Sequence, residues 1–157
     1  MHAYTCATAS ASASLNPSGI ERAKAAGNAV TCDGLSPDTW AATSTSSWPV
    51  DSGTKFHSLF DPGLQGNPSL LQVLEKRNNL TWDDKLAKAC VATLLNTSGS
   101  SPKVDPRFLG AFGSVQAVWS DAMSGNFVPN AGAQPWSKEK VIQWLATSWG
   151  VPWPDWS

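Results

Sequence analysis

Two histidines, His2 and His57, and three cysteines, Cys6, Cys32 and Cys90, are the residues of this 157-residue chain best suited to nucleophilic chemistry or metal binding. A Ser–His or Cys–His pair needs an imidazole held beside the nucleophile. His57, set between Phe56 and Leu59, reads as a partly exposed or core-edge residue of a short helix. Cys90 as nucleophile with His57 as base rests on no local signature. Gly-x-Ser-x-Gly, His-Glu-x-x-His and Gly-x-x-x-x-Gly-Lys are all missing from the sequence. No two His or Cys stand at metal-ligand spacing. Asp33, Asp38, Asp83 and Asp84 lack the Asp-x-Asp-x-Asp-Gly pattern of a calcium loop. Asp83 and Asp84 are better explained as favourable charge at a helix N-terminus. No catalytic residue, metal or cofactor is therefore assigned, and the chain is not read as an enzyme; an unrecognised hydrolase is the remote alternative.

Cys6 and Cys32 flank an Ala/Ser-rich segment that the chain can hold only weakly. A disulfide between them would add about 3 kcal/mol, largely by restricting the unfolded chain. The alternative is two free thiols in a cytosolic protein. Cys90, within Leu86-Ala87-Lys88-Ala89-Cys90-Val91-Ala92-Thr93-Leu94-Leu95, is expected to be free and buried.

Apolar residues make up 41% of the chain and charged residues only 15%, against roughly 25% in an ordinary soluble domain. Ser, Thr, Asn, Gly and Ala must therefore cover the surface. Such a surface suits a secreted protein or a subunit packed against its own copies. A net charge of −1, with no clustered cations, disfavours nucleic-acid binding. No apolar run approaches the roughly 20 residues of a membrane span. Residues Met1 to Cys6 show neither a basic region nor an apolar stretch, so they do not read as a signal peptide. An exported form would have lost its leader before this numbering or used another route.

The elements that must position these groups read as mostly helical: a small irregular bundle with long Trp-anchored loops and extended termini. Residues 1–16 form an extended N-terminal segment, 17–149 the helical domain, and 150–157 a Trp/Pro-rich tail. Pro17 opens a helix that Gly27-Asn28 stops near Ala29. Residues 33–53 read as a loop anchored by buried Trp40 and Trp48. Thr54 to Phe60 is one or two helical turns. Pro68 opens a helix through Lys76, and Asn78-Asn79 breaks it. Thr81 caps the next helix, where Leu86, Ala89, Cys90, Thr93 and Leu94 repeat at helical spacing. Asp105-Pro106 starts a short turn, Ser114 to Met123 is helical, and Ser137 caps the last helix. Strand signals are weak. Leu71, Leu74, Leu86, Leu94, Val118, Trp119 and Leu145 form the expected core.

Cys32-Asp33-Gly34-Leu35-Ser36-Pro37-Asp38-Thr39-Trp40, followed by Trp48-Pro49, resembles a family of uncharacterised bacterial exported proteins. Those carry Cys-x-Gly-x-Ser/Thr-Pro-Gly-Tyr/Phe-Trp-Lys-x-His and then Trp-Pro. The likeness continues through Phe56, Leu59-Phe60, Ser69 to Leu74, Ala89 to Asn96, Val115 to Trp119 and Asn126 to Gly132. The family's Lys and His are replaced by Ala41 and Thr43. The resemblance implies bacterial export and a compact helical domain.

Nine tryptophans are a several-fold enrichment. Trp40, Trp82, Trp119 and Trp144 read as core. Trp149, Trp153 and Trp156 sit where a small domain has little room for them, so they are expected to cover a groove or dock on another molecule. Pro152 and Pro154 stiffen that tail. With Tyr4 these residues are the candidate interaction site. The expected function is a structural subunit of an extracellular or cell-surface assembly such as a filament, surface layer or virion decoration. Its partners would be copies of itself or a surface scaffold. A carbohydrate-binding module using exposed Trp is the alternative.

Overall fold

The computed structural model describes residues 4–7, 29–129 and 132–149. The helix expected from Pro17, most of the N-terminal segment, and the tail with Trp153 and Trp156 lie outside the described residues. The fold is mostly α. Six α-helices follow a two-stranded ribbon: β1 (Tyr4–Ala7), β2 (Ala29–Cys32), α1 (Pro37–Ala42), α2 (Phe56–Leu59), α3 (Leu70–Glu75), α4 (Trp82–Thr97), α5 (Val115–Ser124) and α6 (Lys138–Ala146). Short 3₁₀ turns at Thr45–Ser47, Pro106–Phe112 and Thr147–Trp149 complete the described elements.

Helix α4 is the axis. The Thr81 hydroxyl accepts from the Asp84 N–H while the Asp84 carboxylate accepts from the Thr81 N–H. This reciprocal cap satisfies two donors that the first turn would otherwise leave open. Every residue from Leu86 to Asn96 is buried. Helices α1, α3, α5 and α6 all pack against it. A helix enclosed in this way has no polar face, and Ala87, Ala89 and Ala92 let its neighbours approach closely. Of the expected core, Leu74, Leu86, Leu94, Val118, Trp119 and Leu145 are buried, whereas Leu71 is only half-buried at the core's edge.

The aromatic residues gather in three groups around this axis. Phe56 stacks on Phe60 at 4.5 Å, with the Trp119 ring edge-on to both. Phe108 stacks on Trp144 at 4.8 Å, and Phe127 links Phe112, Trp136 and Trp144. Trp40 meets Trp48 edge-on at 6.2 Å. Both loop anchors are buried, as expected from the sequence.

Several expectations are corrected. The stretch 33–53 is not all loop: Ser36 accepts from the Thr39 N–H and Pro37 opens α1, which is ordinary N-terminal cap chemistry. Helix α3 starts at Leu70 with Ser69 as its cap, not at Pro68. Ala29 begins a strand rather than ending a helix, and β2 pairs antiparallel with β1, Tyr4 opposite Cys32 and Ala7 opposite Ala29. Trp82 is not core, with 41% of its surface exposed. Its spacing is in phase with Leu86, yet burial along α4 begins only at Leu86. Trp149 is buried, with 4% exposed.

Truncating Leu86 to Ala should cost about 2–5 kcal/mol, because the surrounding helices cannot collapse into the space. Chemical denaturation measures this directly. A loss below about 1 kcal/mol would show that α4 is not the enclosed axis.

Candidate functional site

The described residues bring the sequence's marked segments together at one polar node. Asn96, at the end of α4, is fully buried. Its side-chain oxygen accepts from the Trp40 indole N–H and the Leu35 main-chain N–H, each at 2.9 Å. Its side-chain amide donates to the Leu35 carbonyl at 3.0 Å. Its own main-chain carbonyl accepts from the Val104 N–H at 3.0 Å. Gly34 passes so close that a Cβ there would stand 2.6 Å from the Ser148 carbonyl oxygen and 2.9 Å from Asn96 Nδ2. No side chain fits at that separation, so glycine is required by space. The Gly34 N–H donates to that same Ser148 carbonyl at 3.0 Å.

Around this node lie the first and last described elements. Residues 103–105 run beside β2, with Asp33 N–H donating to the Lys103 carbonyl and Asp105 N–H to the Thr31 carbonyl. Strand β1 pairs along the other edge of β2 and also packs against Thr147–Trp149. Cys6 and Cys32 are joined by a disulfide, with their Cα atoms 6.0 Å apart. Of the candidate interaction residues, Trp149 is therefore a wall of this junction and Tyr4 contributes backbone to β1. Trp153 and Trp156 lie outside the described residues.

Two open clefts flank the core. One, of about 350 Å³, lies between Trp40, Pro49 and the Ser98–Ser101 loop, with Ser47 and Lys103 at its rim. The other, of about 390 Å³, lies where the first turns of α4 and α6 meet, lined by Trp82, Ser137, Lys138 and Glu139. A Lys138–Asp83 ion pair holds those two turns together. The Lys85 ammonium stands 4.5 Å from the Trp82 ring centroid, within cation–π range. Trp82 keeps the helical phase of the buried stripe, so the sequence does not mark this cleft.

The Cys–His arrangement does not assemble a nucleophile. Cys90 is fully buried, and burial pushes its thiol far above the ordinary range, so the thiolate that nucleophilic attack needs is not formed. His57 is exposed on α2. Among the described residues no three His, Cys, Asp or Glu side chains cluster as a metal site, and no helix is long and apolar enough to cross a membrane.

One buried charge stands out. Lys88 is 1% exposed and donates to the Lys76 carbonyl at 2.6 Å. Burial lowers its pKa, and the Arg77 guanidinium adds to this; Asp38 and Asp84 pull the other way. Asp84 itself is held below the usual carboxylate range. Burial opposes this, but hydrogen bonds from Lys76 and Thr81 outweigh it.

Comparison with protein-family models, with curated proteins and with solved structures yields no match to this chain. Its function must therefore be argued from the geometry above.

Two outcomes test this geometry. Asn96→Ala should cost about 3 kcal/mol, because it strands the Trp40 N–H and both Leu35 main-chain groups inside the fold; an unchanged denaturation midpoint would show the node to be dispensable. Lys88→Met should raise stability at pH 7, since it removes a buried ammonium and keeps the volume. A lysine whose folded pKa is lowered weakens the fold while charged. That penalty fades as pH rises through its folded pKa toward the unfolded value of about 10.4. The advantage of the Met variant should shrink across the same alkaline window, and a gain independent of pH would contradict it.

Proposed function

We propose that this is a structural domain of the cell exterior that acts by docking through its chain ends, onto copies of itself or a surface scaffold, rather than by catalysis. The observation that carries this reading is the junction of β1 with Thr147–Trp149, which makes the first and last described elements neighbours. A segment continuing past Trp149 therefore starts beside β1.

Three further features support it. The disulfide suits an oxidising compartment, in line with the resemblance to bacterial exported proteins. The low charge content leaves little repulsion against close packing of copies. Among the described residues β1 pairs only with β2, and an edge strand is a ready template for a further chain. The burial of Trp149 narrows the docking elements to β1 and to the Trp153 and Trp156 portion of the tail.

Deleting residues 150–157 tests the proposal. The full chain should associate in a concentration-dependent way by sedimentation or light scattering. The truncated chain should keep its helical circular dichroism and become a monomer. A full chain that stays monomeric at every concentration would overturn the reading. So would a truncated chain that unfolds, because the tail would then belong to the core.

A further inference from the structure

We propose that the Cys6–Cys32 disulfide is a redox latch on docking: it fixes β1, one of the docking elements, only once the chain has met an oxidising compartment. This inference rests on the reading that the protein docks through its chain ends.

The two strands are held in different ways. β2 is tied to the domain along its other edge, where the Asp105 N–H donates to the Thr31 carbonyl at 3.1 Å and the Asp33 N–H to the Lys103 carbonyl at 2.7 Å. Just past its end, Gly34 is bonded to Ser148 and Leu35 to Asn96. None of these bonds involves β1. β1 is four residues long, pairs with β2 and packs against Thr147–Trp149. Residues 8–28 separate the two strands in sequence. A lone pairing of two such short strands is marginal in water. Cys6 carries β1 into the core, with 1% of its surface exposed. Its bond to Cys32 closes a sequence separation of 26, and closing a loop of that size favours the docked strand by roughly a hundred-fold. Breaking the bond therefore releases β1 and leaves β2 and the helices in place.

Burial gives the latch a direction. Thiol–disulfide exchange needs a thiolate to reach one of the sulfurs. With β1 released, Cys6 is on a free segment and the face of Cys32 beneath it is open. The Cys6 thiolate attacks the disulfide of an oxidised dithiol carrier, forms a mixed disulfide and frees one carrier sulfur as a thiolate. The Cys32 thiolate then attacks the Cys6 sulfur and displaces the other carrier sulfur. One S–S bond forms in the protein and one breaks in the carrier. The two cysteines give up two electrons and two protons, and the carrier leaves as a dithiol. Closure buries Cys32 completely and Cys6 almost so, which shields the new bond from later reductants. Cys90 takes no part, because burial in α4 keeps its thiol protonated. In a reducing interior the helices fold while β1 stays unfixed, so copies do not dock before export.

The test compares the full chain in two forms, oxidised and refolded in a dithiol. Both should show the same helical circular dichroism. Iodoacetamide under native conditions should label no cysteine of the oxidised form. In the reduced form Cys6 should label about a hundred-fold faster than Cys90, whose burial makes it the internal reference. Light scattering should show the oxidised form associating and the reduced form monomeric, with association restored by oxidised glutathione. The double variant Cys6→Ala, Cys32→Ala should stay monomeric with or without the dithiol. Cys6 as slow to label as Cys90 in the reduced form would overturn the latch. Equal association of both forms would also overturn it, while leaving docking through the chain ends intact. Loss of helix on reduction would do the same, because the disulfide would then hold the whole domain. If the oxidised chain itself stays monomeric, the docking reading fails and the latch falls with it.

Discussion

The side-chain amide of Asn96 uses its oxygen twice and its N–H₂ group once, to hold the Leu35 backbone and the Trp40 indole against the end of α4. A buried amide is expensive to strand and contributes strongly when every partner is present. This one is bonded on both sides, and its directionality does what apolar packing cannot. It sets the path of residues 33–40, and that path sets where Gly34 meets Ser148. Val104, bonded to the Asn96 main chain, is brought beside β2 from the same point. The ribbon, the disulfide and the Thr147–Trp149 turn are thus all referenced to one side chain in the most enclosed helix of the fold.

This arrangement gives the marked segments a physical meaning. Cys32 closes the disulfide, Gly34 gives clearance, Ser36 and Pro37 start α1, and Trp40 reaches Asn96. The segment from Cys32 to Trp40 and the segment ending at Asn96 lie far apart in sequence and form one cluster in space. Each of these residues has a structural task, so the pattern is a signature of how the chain folds. Ala41 and Thr43, where the resembling pattern has Lys and His, play no part in the node. At the end of α1 the Thr43 hydroxyl donates to the Thr39 carbonyl and its main-chain N–H to the Trp40 carbonyl.

Local chemistry was legible wherever one residue decides the outcome. Thr81, Asp105 and Ser137 cap the elements that their types announce, while Ser114, read as the first helical residue, is itself a cap. The burial of Cys90 followed from its apolar neighbours. Ser36-Pro37 carries the same cap signal and was passed over, because the Ser, Thr and Pro around it read as loop. The strands were hidden for a different reason. Four-residue strands leave little alternation to detect, and β1 is held by a disulfide and by contacts from the far end of the chain. Trp82 was expected in the core and lies outside it. Helical phase tells which side of a helix a residue occupies, but not whether a neighbour extends far enough to cover it. Trp82 shares the phase of the buried stripe and is exposed, whereas β1 packs against the Thr147–Trp149 turn, where Trp149 is buried.

Trp82 and Trp149 differ in how they meet the surface. An indole exposes apolar area that water penalises, so a fold leaves one open only where its neighbours stop short. Trp149 is buried in the turn against which β1 packs. Trp82 lies outside the core and is bordered by Lys85 and by the charged start of α6. A charged border keeps one open indole from growing into a broad apolar patch that would draw in unrelated protein surface.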